Sequence, residues 1–221
     1  MITVSTTTKK FLYIIAIALF FLYSFLKFES FPGHEELKDM ILMYLTRTQA
    51  VPVPLDASSG SDNVIYVMGG YQGSLIVRFQ TASELYKRGA TKKIQILSRP
   101  GITEYNPPSM RNLTNDEWAI LKLTERGVEK KDVEPISIKK EFFGTLSEAK
   151  WISKVAVERR YKGLVVVTSS YHAKRVYESF SRFLEGHNVN LYVYTAQERI
   201  GLRGVLDEFF KLMIYRAVLL N

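Results

Sequence analysis

Thr168-Ser169-Ser170-Tyr171-His172-Ala173-Lys174-Arg175 places a histidine and an arginine three residues apart. On a helix that spacing turns both side chains to one face near the first turn, where they can meet one ligand. An imidazole exchanges protons near neutral pH, and a guanidinium grips phosphate or carboxylate through paired hydrogen bonds. The pair therefore suits an anionic substrate. Both residues are expected to be partly exposed, with the core contacts of this helix made by Val176, Phe180 and Phe183. Only His34 and His187 accompany His172 in the chain, so no histidine-rich metal site is available and no metal or other cofactor is assigned.

A second anion signal is Gly69-Gly70-Tyr71-Gln72-Gly73-Ser74, a glycine-rich turn opening a helix. Backbone N–H groups in such a turn approach an anion at the helix amino end. The turn lacks a P-loop lysine and does not complete a dinucleotide fingerprint, so a tight turn that needs glycines for packing accounts for it equally well. Thr145-Leu146-Ser147-Glu148 reads as a capping box, worth about 1 kcal/mol, and Thr114-Asn115-Asp116-Glu117 repeats the pattern. Capping is the plain account of Glu148; a general base at a sheet edge is the functional one. Ser169 and Ser170 lie outside any Gly-x-Ser-x-Gly elbow, which argues against a serine hydrolase. The chain has no cysteine, which excludes disulfides, thiolate metal sites and a cysteine nucleophile.

Beyond residue 62 the chain alternates β-rich runs with helical patterns. Strands are expected at 64–68, 93–97, 133–138, 164–168 and 191–194, with helices at 74–88, 115–126, 146–160, 171–184 and 204–219. Strands separated by helices imply a five-stranded parallel sheet covered on both faces, and right-handed crossovers favour the order 3-2-1-4-5. Strands 1 and 4 are then neighbours at the switch point. Ligands of such sheets bind beyond the strand carboxyl ends there, which places the Gly69-Gly70 turn and His172 at one cleft.

Residues 11–26 carry no charge, with Lys9 and Lys10 before them and Lys27 after. A helix over residues 11–28 reaches about 27 Å, enough to cross the hydrocarbon core. No small-x-small cleavage pattern follows it, so an uncleaved transmembrane anchor is expected, with residues 1–10 cytoplasmic and the rest translocated. Residues 29–62 read as a juxtamembrane helix, apolar at helical spacing over 34–47, and a linker; this helix lies either on the bilayer or on the domain. Residues 63–221 form the domain. Thirty Lys and Arg against 22 Asp and Glu give a net charge of +8. The basic residues are scattered and no nucleic-acid motif is present, so the balance fits a surface beside anionic lipid, and no nucleic-acid partner is predicted.

Together these residues resemble the YdcF-like family, domain of unknown function 218, and with the anchor its SanA-like and ElyC-like envelope branch. The resemblance covers residues 64–216. It rests on Val67-Met68-Gly69-Gly70 with Arg78, Ala82, Leu85-Tyr86 and Gly89, on Thr145 with Glu148-Ala149, and on Thr168-Ser169 with Tyr171-His172 and Arg175. The chain departs from it at Ser98-Arg99-Pro100-Gly101, where the family has Ser-Gly-Gly, and at Tyr71, where a third glycine can stand. The resemblance implies a Rossmann-like three-layer sandwich in a single-pass protein of the bacterial plasma (inner) membrane, with a role in envelope or peptidoglycan biogenesis. On that footing the first function expected is action on a phosphate-bearing cell-wall or polysaccharide precursor, an anionic small molecule or a lipid-linked one. Gly69, Gly70 and Arg78 would hold the anion, with Thr145, Thr168 and Ser169 beside them. Arg175 would stabilise developing charge, and His172 with Glu148 would move protons. Two alternatives stay open: a non-catalytic module that senses such a ligand or scaffolds envelope-biogenesis proteins, and, by fold analogy alone, a nucleotide or S-adenosylmethionine binder.

Overall fold

The computed structural model describes residue 23 and residues 32–47, 62–139 and 144–219. Five parallel strands form the main sheet: β1 (Asn63–Val67), β2 (Ile94–Leu97), β5 (Val133–Ile136), β6 (Gly163–Ser169) and β7 (Asn190–Ala196), in the order β5-β2-β1-β6-β7. This is the predicted order 3-2-1-4-5 once the strands of a small hairpin are set aside. Every residue of β1 and of β6 is buried, as expected of central strands covered on both faces, and the pair runs in register from Asn63 beside Gly163 to Val67 beside Val167. Pro135 stands in the edge strand β5, where a missing N–H interrupts no inner ladder.

Side chains of successive strand residues go to opposite faces and build two cores. Ile65, Val67, Val165 and Val167 pack against helices α2 (Gln72–Lys87) and α3 (Asn115–Thr124), chiefly through Phe79, Leu85, Trp118 and Leu123. Val64, Tyr66, Leu164 and Val166 pack against α4 (Gly144–Glu158) and α5 (Ala173–Leu184), through Ile152, Val176 and Phe180. Helices on both faces of a parallel sheet make the α/β, Rossmann-like sandwich.

A hairpin of β3 (Ile102–Asn106) and β4 (Arg111–Thr114) stands apart as a second, antiparallel sheet between β2 and α3. Sequence patterning missed it because most of its side chains are exposed, so no apolar alternation marks it. It delivers the chain to a complete capping box: the Thr114 hydroxyl accepts from the Glu117 N–H, and the Glu117 carboxylate accepts from the Thr114 N–H. Thr114→Ala should lower stability by about 1 kcal/mol and the melting temperature by about 2–4 °C, read by calorimetry. An unchanged melting temperature would mean that packing of Trp118 and Leu123 alone holds α3.

Helix α1 (His34–Thr46) packs on the domain. Its Ile41 and Leu45 join Leu202, Val205, Leu206 and Leu212 of α6 (Leu202–Ile214) in a third cluster. The last helix is shorter than predicted, giving way to a π-helical turn over Tyr215–Leu219. Residue 171 lies in a 3-10 turn, Ser170–His172, ahead of α5. Apart from Tyr23, which is helical, the expected span 11–28 lies outside the described residues, as does the linker before Asp62. Among the described residues no helix is long and apolar enough to cross a membrane.

Candidate functional site

Strands β1 and β6 end side by side, so the turn at Gly69 and the 3-10 turn at His172 share the carboxyl edge of the sheet. The crevice between them is filled by the chain itself. Arg78 of α2, 2% exposed, donates from Nε and Nη2 to the Ser169 hydroxyl at 3.2 and 2.6 Å. Its Nη1 donates to the carbonyls of Met68 at 3.0 Å and Gly69 at 2.6 Å. Gly70 needs its missing side chain here, because a Cβ would lie 2.9 Å from Arg78 Nη1. Glu198, just past the end of β7, stands 3.5 Å from Arg78 Nε and accepts from the hydroxyls of Ser74 at 2.7 Å, Tyr171 at 3.1 Å and Ser169. Burial raises the Glu198 pKa, but the hydroxyls of Ser169 and Ser74 and the charge of Arg78 outweigh it, leaving the carboxyl below its ordinary value. Arg78, expected to hold a ligand anion, ties the ends of β1 and β6 together through Ser169 and the carbonyls of Met68 and Gly69.

A second cluster lies around Glu208 of α6. Arg175 is 7% exposed, not partly exposed as its place in a first helical turn implies. Its Nε donates to Glu208 and its Nη1 to the Thr145 hydroxyl, while Tyr215 presents its ring 5.0 Å from the guanidinium carbon. His172 Nδ1 lies 2.8 Å from Glu208 Oε2 and 3.1 Å from Arg175 Nη2. Burial works against an ionised Glu208, yet the hydrogen bond from His172 and the charge of Arg175 hold it at about 2. A full negative charge and the shorter contact put the imidazole proton on Nδ1, facing Glu208, and leave the lone pair on Nε2. Burial, opposed by Glu208, pushes the His172 pKa below its ordinary value, so the ring is neutral at neutral pH. A neutral ring with an oriented lone pair is a competent general base.

Beside this cluster opens a pocket of about 420 Å³, lined by Gly144, Thr145, Glu148, Arg175, Lys211, Ile214 and Tyr215. Glu148 is no capping residue. Its helix begins at Gly144, and its carboxylate accepts from the Tyr66 hydroxyl at 2.7 Å and the Gly69 N–H at 2.9 Å. Tertiary partners outcompete the local box, as they do for Thr145, whose hydroxyl goes to Arg175. Burial, and then the neighbouring Glu148, drive the Tyr66 pKa well above its usual value, so Tyr66 stays a donor. Gly69 and Gly70 do not line this pocket. They line a separate one of about 230 Å³, with Leu97, Arg99 and Trp118 among its walls. The predicted single cleft is therefore two pockets, with Glu148 lining one and bonded to the turn that lines the other. His172 lines neither and touches Arg175, which lines the larger. The Thr168 hydroxyl is buried without a hydrogen-bond partner, and Ser169 bridges Arg78 and Glu198.

Sequence reasoning missed the two carboxylates that organise these clusters. Glu208 had a legible signal, standing between Val205 and Leu212 on the buried stripe of an amphipathic helix. Glu198 had only its place beyond a strand's carboxyl end. Among the described residues no group of three metal-ligating side chains is assembled. Comparison of the chain with family models, with curated proteins and with solved structures finds no match in any of the three.

Proposed function

We propose that this chain is a single-pass, membrane-anchored envelope protein of the YdcF-like kind, whose domain binds or acts on a phosphate-bearing cell-wall or polysaccharide precursor in the pocket of Thr145, Arg175 and Lys211. One observation carries the proposal: a buried, ionised Glu208 that orients both Arg175 and His172 beside a pocket with a basic rim. Such an arrangement meets an anion with fixed donors and sets a neutral imidazole against the guanidinium, one side chain removed from the pocket lining, for proton transfer. Lys211, with its side chain 56% exposed and 3.8 Å from Glu208, brings an additional positive charge to the mouth. Thr145 fixes Arg175, and Glu148 brings a carboxylate to the lining.

The test uses the full chain extracted in detergent. Mass spectrometry should find a phosphorylated amphiphile copurifying with it, and Lys211→Gln should reduce that occupancy about tenfold or more through the lost charged contact. His172→Gln should retain the ligand and the melting temperature while abolishing complementation of a deletion strain under envelope stress, an effect of about a hundredfold or more on turnover. No phosphorus compound enriched over the Lys211 variant, or full complementation by His172→Gln, would sink the assignment.

A further inference from the structure

Four side chains of α6 are exposed, namely Arg203, Phe210, Lys211 and Ile214, and each is basic or apolar. Their spacing of seven, one and three residues puts all four within about 100° of one another around the helix, with Asp207 in the same stripe. Phe210 is 36% and Ile214 49% exposed. The opposite face of the helix is buried through Leu202, Val205, Leu206 and Leu212, so the stripe is not a remnant of core packing. A basic and apolar face with no exposed acid is the composition of a helix that lies in a lipid headgroup layer.

One described residue of the expected span touches this stripe. The Tyr23 hydroxyl donates to Asp207, and the Tyr23 ring meets Phe210 edge-on with centroids 4.9 Å apart. Tyrosine is favoured at membrane interfaces, with its ring among acyl chains and its hydroxyl in the polar layer. A tyrosine near the end of a membrane span that holds Asp207 and Phe210 brings the whole stripe to the same depth. Two stripe residues, Lys211 and Ile214, also line the pocket of Thr145 and Arg175.

We infer that α6 lies against the anionic lipid surface through Arg203, Phe210, Lys211 and Ile214, so that the mouth of the pocket is held in the headgroup layer and its ligand is reached from the membrane. This rests on the anchoring part of the function proposed above and deepens it: the domain is clamped flush to the bilayer, and the ligand is an amphiphile whose phosphate enters the pocket while its apolar chain stays among the lipids.

The native chain has no cysteine, so one introduced thiol is the only labelling site. Full-length Phe210→Cys, Ile214→Cys and Lys131→Cys would be labelled with bimane and reconstituted into vesicles of phosphatidylcholine and phosphatidylglycerol. Lys131, with its side chain 75% exposed in the turn leading into the amino end of β5, is the control. Acyl chains brominated near the headgroup should quench the labels at 210 and 214 about twofold and leave that at 131 unchanged. Cofloating chain with no quenching at 210 and 214, or with equal quenching at all three positions, overturns the orientation and leaves the anchor standing. Failure to cofloat with vesicles overturns both.

Discussion

Arg175→Ala should cost about 3–5 kcal/mol, because it strands Glu208, an ionised carboxylate with a side chain only 2% exposed, without its guanidinium. In a domain of this size the melting temperature should fall by about 10 °C or more. The partial exposure expected from the sequence would have made the structural effect small; at 7% exposure it is not. The pH dependence identifies the cause. Glu208 is held at about 2 against an ordinary 4.5, so its ionic contribution is fully present above about pH 4.5 and is lost as the pH falls towards 2. Removing Arg175 takes away one of the groups that depress that value. The stability gap between wild type and variant should therefore be widest at neutral pH and narrow as the pH falls, because the stranded Glu208 and the neighbouring His172 take up protons at a higher pH in the variant than in the wild type. Replacing both partners, Arg175→Met with Glu208→Leu, should recover much of the loss, since an apolar pair leaves no buried charge. A cost below about 1 kcal/mol for Arg175→Ala, measured by denaturant unfolding at pH 7, would show that Arg175 is not holding Glu208 in place.

Arg78→Met is expected to be of similar size, about 3 kcal/mol or more. The substitution preserves bulk but leaves the carbonyls of Met68 and Gly69 without their shared donor and Glu198 without the cation 3.5 Å away. Arg78→Lys should recover only part of the loss, because one ammonium cannot reach Ser169 and two carbonyls in the fork geometry of a guanidinium. If Arg78 served chiefly to hold a ligand anion, Arg78→Met would leave the urea midpoint unchanged and abolish ligand retention. The expected outcome is a lowered midpoint with an unchanged m-value.

These two arginines mark the boundary of what a single sequence reveals. The sheet order was legible because five apolar runs separated by helical patterns leave few right-handed topologies, and the fully apolar runs at 64–68 and 164–167 announced central strands. The capping box at Thr114 was legible because its partners are three residues apart. The identical pattern at Thr145 was misleading, since the hydroxyl and the carboxylate that compose it answer to Arg175, Tyr66 and Gly69, which no local pattern reveals. Arg78 and Arg175 stood out as candidate ligand groups by type and position. Their internal carboxylates, Glu198 and Glu208, lie about 120 and 30 residues further along the chain, and only the fold brings those distances to a few ångströms.

The register of β1 with β6 also sets when this domain can fold. Ile65 to Val67 find a partner on one side in Ile94 to Ile96, but on the other only in a strand about 100 residues downstream, so a loop of that length must close before the central strand is complete. Until then a fully apolar strand edge is open to pairing with other chains. A nascent chain that ends short of Gly163 presents that edge with nothing to cover it. Truncations before β6 should therefore aggregate more readily than those that end after β7, which complete the central pair even though they lack Glu198 and Glu208.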